Sequence, residues 1–343
     1  MSPGPGLRLA ILDDYQDFTH SWARFAEIPN VDATAFTDHV ADEDALVARL
    51  GNCDVVMRIR ERTPFPATLL RRLPKLKLLL ATGMRNAGSI DLPAADELEI
   101  TVCATEAHHQ STVEIVWGLV LDAYRGISRE QASVRAGGWQ VGLGTALAGQ
   151  TLGIMGLGNM GTPVAAIGKI LGMKVIAWSP NLTPERASAH GAQRVDKQTL
   201  FAASDVITLH MPLMDSTRGI VGEGELAAMR SGALLVNTSR AGLVDGGALI
   251  AAVSQRRIRL AVDVFETEPL PADHPFRSLP NVLATPHIGF VTEENLRQMF
   301  DESLENLKAY IAGSPMRTIN AVHPFLANAQ ATRPGEGSDS NAR

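Results

Sequence analysis

Apolar residues come in short contiguous runs along most of this chain, and stretches of helical length separate the runs. Residues 7–12, 54–59, 76–81 and 100–103 are such runs, and a helical pattern occupies 42–50 between the first two. Short apolar runs that alternate with helices predict parallel strands buried on both faces. Residues 113–125 then make an apolar stretch long enough for a buried helix, followed by a Gly-rich loop at 136–149. A second series of strands is expected at 151–155, 174–178, 205–209, 233–237, 260–264 and 282–284. Helical periodicity returns over 292–312 through Leu296, Met299, Phe300, Leu304, Leu307 and Ile311, and it stops at Gly313-Ser314-Pro315. Beyond Phe325 the composition turns to Ala, Asn, Gly, Ser and Pro, so 326–343 is expected to be a disordered tail. The fold class read from this pattern is α/β, with two Rossmann-like, doubly wound parallel-sheet domains.

Composition narrows the function classes. At 343 residues the chain exceeds what one core usually serves, and 45% hydrophobic with 20% charged residues is ordinary for a globular protein. A net charge of -6, with no basic run, argues against a nucleic-acid partner. No apolar stretch approaches the roughly 20 residues of a membrane span, so no membrane association is expected. Residues 1–6 lack the cationic and apolar segments of a signal peptide. Cys53 and Cys103 have neither metal-ligand nor redox spacing, which fits a reducing compartment; the expectation is a cytoplasmic protein without a metal site.

Chemistry enters at residues 151–161, T-L-G-I-M-G-L-G-N-M-G. Gly156, Gly158 and Gly161 spell G-x-G-x-x-G straight after a strand and at the mouth of a helix. The first glycine permits a tight turn, the second lets a pyrophosphate approach the backbone, and the third lets the helix pack against the sheet, its N-terminus facing the phosphates. Asn159 and Met160 complete the turn. The next strand, 174–178, ends at Ser179, where an acidic residue would hold the ribose hydroxyls of NAD; serine neither supplies that carboxylate nor repels a 2'-phosphate. Further strand ends carry His210-Met211-Pro212, Asn237-Thr238-Ser239-Arg240, Asp263 to Pro269 (D-V-F-E-T-E-P) and Thr285-Pro286-His287-Ile288-Gly289. All lie at the C-terminal edge, where open α/β sheets bind ligands. Arg240 can grip a carboxylate in two prongs and polarise the adjacent carbonyl, His287 can deliver a proton to the developing alkoxide, and Glu268 can hold the imidazolium.

Taken together, the motifs at 156–161, 210–212, 237–245, 263–269 and 285–289 resemble the D-isomer-specific 2-hydroxyacid dehydrogenases. The resemblance runs over about residues 7–322. It implies that Arg240, Glu268 and His287 are the catalytic set. It also implies that Gly156, Gly158, Asn159, Met160, Gly161, Ser179, His210, Pro212, Thr238, Ser239, Asp263 and Gly289 bind a nicotinamide cofactor. NAD is favoured by the family and NADP left open by Ser179. The nucleotide domain would be inserted into a discontinuous substrate domain: 7–106 as first segment, 107–291 as nucleotide domain, 292–325 as return segment. A homodimer formed through the nucleotide domain, with 136–147 in the contact, is implied as well.

On the substrate side, Arg60, Thr82, Gly83 and Arg85 are expected to join Arg240. Gly83 and Asn86 fit the family's substrate loop, whereas Arg85 and the Phe290 that follows Gly289 depart from its usual pattern. Arg58 and Arg62 read as a solvated rim. Phe290 reads equally as a pocket wall or a packing residue. Two alternatives stand beside the oxidoreductase: a cofactor-sensing binding protein of the co-repressor kind, which shares the fold, and formate dehydrogenase, against which Glu268 speaks, since that enzyme pairs its histidine with glutamine.

Overall fold

A computed structural model of the protein describes residues 6–22, 24–83 and 89–320. The chain divides into two compact units, residues 1–107 with 293–343, and residues 108–292. The first unit begins with β1 (Leu7–Leu12), α1 (Phe18–Ser21), β2 (Val31–Ala35), α2 (Glu43–Leu50), β3 (Val55–Arg58), α3 (Ala67–Leu70), β4 (Leu78–Ala81), α4 (Leu92–Glu97) and β5 (Thr101–Ala104). The second holds α5 (Gln110–Arg125), α6 (Ile127–Arg135), β6 (Thr151–Met155), α7 (Gly161–Ile170), β7 (Lys174–Trp178), α8 (Pro184–Ala189), β8 (Gln193–Arg194) and α9 (Lys197–Ala203). It continues with β9 (Val206–Leu209), α10 (Glu223–Ala228), β10 (Leu234–Asn237), α11 (Gly246–Ser254), β11 (Arg259–Val262) and β12 (Val282–Ala284). The chain then returns to the first unit as α12 (Glu293–Ile311).

Among the described residues the first unit has a five-stranded sheet in the order β2-β1-β3-β4-β5 and the second a seven-stranded sheet in the order β12-β11-β10-β9-β6-β7-β8. The pairings between these strands are all parallel. β3, β4, β9 and β10 are buried at every position, as strands covered on both faces must be. In the second unit one core gathers Trp117, Val120 and Tyr124 of α5 with Val164 and Ala165 of α7. The other gathers Phe201 of α9, Leu226 of α10 and Val253 of α11. Strand order reverses between β6 and β9, so the loops after these two strands open a crevice at the C-terminal edge. Carboxylates start several of the helices: Asp42, Asp196 and Asp245 accept from the third amide beyond them.

β2, β8 and α6 are among the elements that escape the apolar pattern. β2 (V-D-A-T-A) is half-buried at alternate positions and, among the described residues, pairs only with β1, and β8 is a two-residue strand at the far edge of the larger sheet. An edge strand needs no continuous apolar run because one of its sides is never covered. α6 buries none of its residues. Elsewhere the strand limits move by a residue or two; the run expected at 260–264 ends at Val262, which leaves Asp263 in the loop beyond.

Candidate active site

β6 runs straight into the glycine turn. Gly156 has φ +105°, and a Cβ there would lie 2.8 Å from the His210 carbonyl oxygen. At Gly161 a Cβ would lie 2.1 Å from the carbonyl oxygen of Gly156, so the first turn of α7 rests directly on the strand end. Around Gly158, by contrast, a Cβ would meet nothing within 4 Å. Two glycines are thus required by contact inside the protein, and the third leaves open backbone at a helix N-terminus, the geometry a pyrophosphate needs. The residues present fit a dinucleotide. Asn159 is exposed, whereas Met160 packs partly buried against the core. The Ser179 hydroxyl accepts from the Leu157 amide at 3.2 Å, which fixes the end of β7 beside the turn. His210 donates its amide to Met155 O, and burial pushes its pKa down to about 4. Pro212 is exposed, its carbonyl accepting from the Thr217 hydroxyl.

β10, β11 and β12 lie side by side, and the segments after them carry Arg240, Glu268 and His287. After β10 the segment is pinned by its own polar groups. Ser239 Oγ donates to Leu209 O at 2.7 Å, Asn237 Nδ2 donates to Arg240 O at 2.9 Å, and Arg240 Nη1 donates to Ser239 O at 2.7 Å; Thr238 is buried. After β11, Glu268 accepts the Phe265 amide on Oε1 at 2.8 Å and meets His287 Nδ1 with Oε2 at 2.7 Å. The histidine side chain is 17% exposed and the glutamate 28%. With Nδ1 committed to the carboxylate, Nε2 is the ring nitrogen left to exchange a proton with a ligand. His287 has φ +53°, outside the region β-strands continue into, so the chain turns sharply there.

The Asp263 carboxylate, expected among the cofactor contacts, is 1% exposed and turned onto the histidine loop. It accepts from the Thr285 hydroxyl at 2.6 Å and from the amides of Ile288 and Gly289 at 2.9 and 2.7 Å. Burial raises its pKa, opposed by those donors and by His287. Phe290 is buried with its ring edge-on to the imidazole at 5.7 Å, the packing role.

In the first unit, Arg60 has φ +55° and donates its amide to Thr82 Oγ1 at 2.7 Å; its Nε lies 3.6 Å from Glu61. Thr82 is fully buried, and the Gly83 amide donates to Thr105 Oγ1 at 2.9 Å, so both serve the loop's own structure. Arg85 lies outside the described residues. The solvated-rim reading of Arg58 and Arg62 is corrected. Arg58 is fully buried, donating to Thr63 O at 3.1 Å and Ser89 Oγ at 2.7 Å, and burial pushes its pKa down to about 10. Arg62 donates to Asp13 O at 2.6 Å with its guanidinium 4.4 Å from the Tyr15 ring centroid. Sequence reasoning missed the hub of this network: Asp13 accepts from Thr63 Oγ1 at 2.6 Å and pairs with His39 Nδ1 at 2.8 Å. The one local signal was the pair of aspartates that closes β1.

No cluster of three metal-ligating side chains occurs among the described residues, and none of the described helices is long and apolar enough to cross a membrane.

Residues 117–289 match the family model described as "D-isomer specific 2-hydroxyacid dehydrogenase, NAD binding domain". The chain is 37% identical to a glyoxylate reductase of Aeropyrum pernix over 77% of its own length and 80% of that protein. It is 36% identical to a D-3-phosphoglycerate dehydrogenase of Methanocaldococcus jannaschii over 79% of its length, but spans only 52% of that longer protein. A crystal structure of a phosphoglycerate oxidoreductase from Vibrio cholerae superposes with a TM-score of 0.85 at 39% identity, covering 90% of this chain and all of the other. These relatives are named as reductases, dehydrogenases and oxidoreductases, and they give the co-repressor alternative no support. A dinucleotide turn on the central strand and a matched family model over that same unit converge: the chain belongs to the D-isomer specific 2-hydroxyacid dehydrogenases.

Proposed function

We propose that the protein reduces a 2-oxoacid to its D-2-hydroxyacid, and runs the reverse oxidation, with Arg240, Glu268 and His287 as the catalytic set. The observation that carries this reading is the 2.7 Å bond between Glu268 Oε2 and His287 Nδ1, at a strand end two strands from that of Arg240. Arg240 binds the substrate carboxylate and polarises the neighbouring carbonyl. His287 gives its Nε2 proton to the oxygen that gains charge, and Glu268 stabilises the cationic ring before the transfer and fixes its tautomer throughout. A nicotinamide dinucleotide held on the glycine turn and α7 supplies the hydride. Asp263 and Phe290 hold the histidine loop in place.

On the first unit we assign substrate contacts to Arg60, Arg85 and the Gly83 loop, with Thr82 supporting Arg60. One carboxylate is enough for the chemistry, so a further arginine is useful for a second polar group, a contact worth roughly 1.5 to 3 kcal/mol. That favours a polar substrate such as glyoxylate or hydroxypyruvate. Two unpaired cysteines, Cys53 and the buried Cys103, support a reducing, cytoplasmic setting, and a homodimer completes the reading.

The test is a panel of 2-oxoacids (glyoxylate, hydroxypyruvate, phenylpyruvate, 2-oxoisocaproate, phosphohydroxypyruvate) assayed with NADH and NADPH on the wild type and on His287→Ala. Reduction of a polar member is expected, with kcat falling by roughly 10²- to 10⁴-fold in the variant while cofactor affinity holds. A variant with wild-type kcat would remove His287 from the chemistry.

A further inference from the structure

The glycine turn fixes where a dinucleotide's pyrophosphate lies; the residues after β7 then face its adenosine ribose. The bond from the Leu157 amide to Ser179 Oγ ties the first of these residues to the turn itself. Residues 179–182 form a tight turn, closed by the Leu182 amide on Ser179 O at 3.2 Å, and their sequence, Ser-Pro-Asn-Leu, contains no carboxylate. A cation lies on that turn: Arg186 is exposed, and its Nη1 donates to Asn181 O at 3.2 Å. Among the described residues Arg186 forms no ion pair.

Two acids lie nearby in sequence, Glu185 and Asp196. Glu185 is exposed in the first turn of α8, next to Arg186 in sequence. Asp196 caps α9 through the amide and hydroxyl of Thr199. A second arginine, Arg194, sits on β8 in register with Ala177 of β7. The turn that follows β7 therefore offers no carboxylate to accept from a 2'-hydroxyl, and arginines stand next to that turn and on the adjoining strand.

From this we infer that the chain binds NADP(H) in preference to NAD(H), and that Arg186 is the specificity-determining residue, pairing with the 2'-phosphate while the Ser179 hydroxyl donates to it. A planar guanidinium suits a phosphate's two-pronged geometry, and the Asn181 carbonyl holds it in place without neutralising it. The inference rests on the glycine turn being a dinucleotide site.

Titration calorimetry with NADPH and with NADH, in the absence of substrate, tests it without relying on turnover. Wild type is expected to bind NADPH at least about tenfold more tightly than NADH. Arg186→Gln is expected to weaken NADPH by about tenfold or more and to leave NADH within about threefold, and Ser179→Asp to reverse the preference. Tighter binding of NADH by the wild type would overturn the inference while leaving the dinucleotide site intact. An unchanged NADPH affinity in Arg186→Gln would remove that residue as the selector. Failure to bind either dinucleotide would overturn the inference and the site together.

Discussion

His210 follows β9 with Nε2 buried and without a hydrogen-bond partner among the described residues. Burial holds its pKa at about 4, whereas a histidine in the unfolded chain titrates near about 6.5. Between those values the unfolded chain takes up a proton that the folded chain refuses. Stability from this residue is therefore fully present above the unfolded pKa, falls as the pH drops through the window, and falls no further below the folded pKa. A shift of this size corresponds to about 3 kcal/mol at most. Urea unfolding of wild type and His210→Asn at pH 7 and pH 4 isolates the effect from the carboxylates that titrate in both. Wild type should lose up to about 3 kcal/mol more than the variant over that range; parallel losses would mean the imidazole is solvated.

At the scale of the element, the turn from β6 into α7 separates two demands that one motif combines. Gly161 is needed for packing, since a Cβ would sit 2.1 Å from the Gly156 oxygen, while Gly158 is needed only if something approaches from outside. Gly161→Ala should cost about 1 to 3 kcal/mol in stability, because α7 or the turn must shift. Gly158→Ala should change stability by no more than about 0.5 kcal/mol and instead weaken dinucleotide binding. Calorimetric melting and dinucleotide titration of both variants decide it: a large stability loss at Gly158, or an unimpaired affinity there, contradicts the assignment of roles.

For the molecule as a whole, the exposed apolar groups concentrate on α6 and the segment after it. Ile127, Val134, Trp139, Val141 and Leu143 are 56%, 55%, 75%, 57% and 98% exposed. Apolar groups exposed in this way are where the proposed homodimer would bury surface. Sedimentation velocity at micromolar concentration should give about twice the 36.7 kDa chain mass, and Val141→Asp with Leu143→Asp should return the monomer. A monomeric wild type would sink the homodimer.

The pattern of apolar runs was enough to specify two parallel-sheet units, the central strand before the glycine turn, and α12 with Leu296, Met299, Phe300 and Leu307 on its buried side. Burial on both faces is a local demand, so it is written locally. The edge strands β2 and β8 and the exposed helix α6 make no such demand, and only the assembled sheets and the chain's packing reveal them. The same division runs through the polar residues. The placement of Arg240, Glu268 and His287 beyond strand ends was legible because each follows an apolar run, and the sheet edge gathers strand ends. That Oε2 of Glu268 meets Nδ1 of His287, that Asp263 turns onto the loop at 285–289, and that Arg58 is buried were decided in three dimensions. The hub at Asp13 shows why. Its partners His39 and Thr63 are 26 and 50 residues away, and nothing in a local pattern says which distant donor will meet a buried carboxylate; the parallel pairing of β1 with β2 and β3 does.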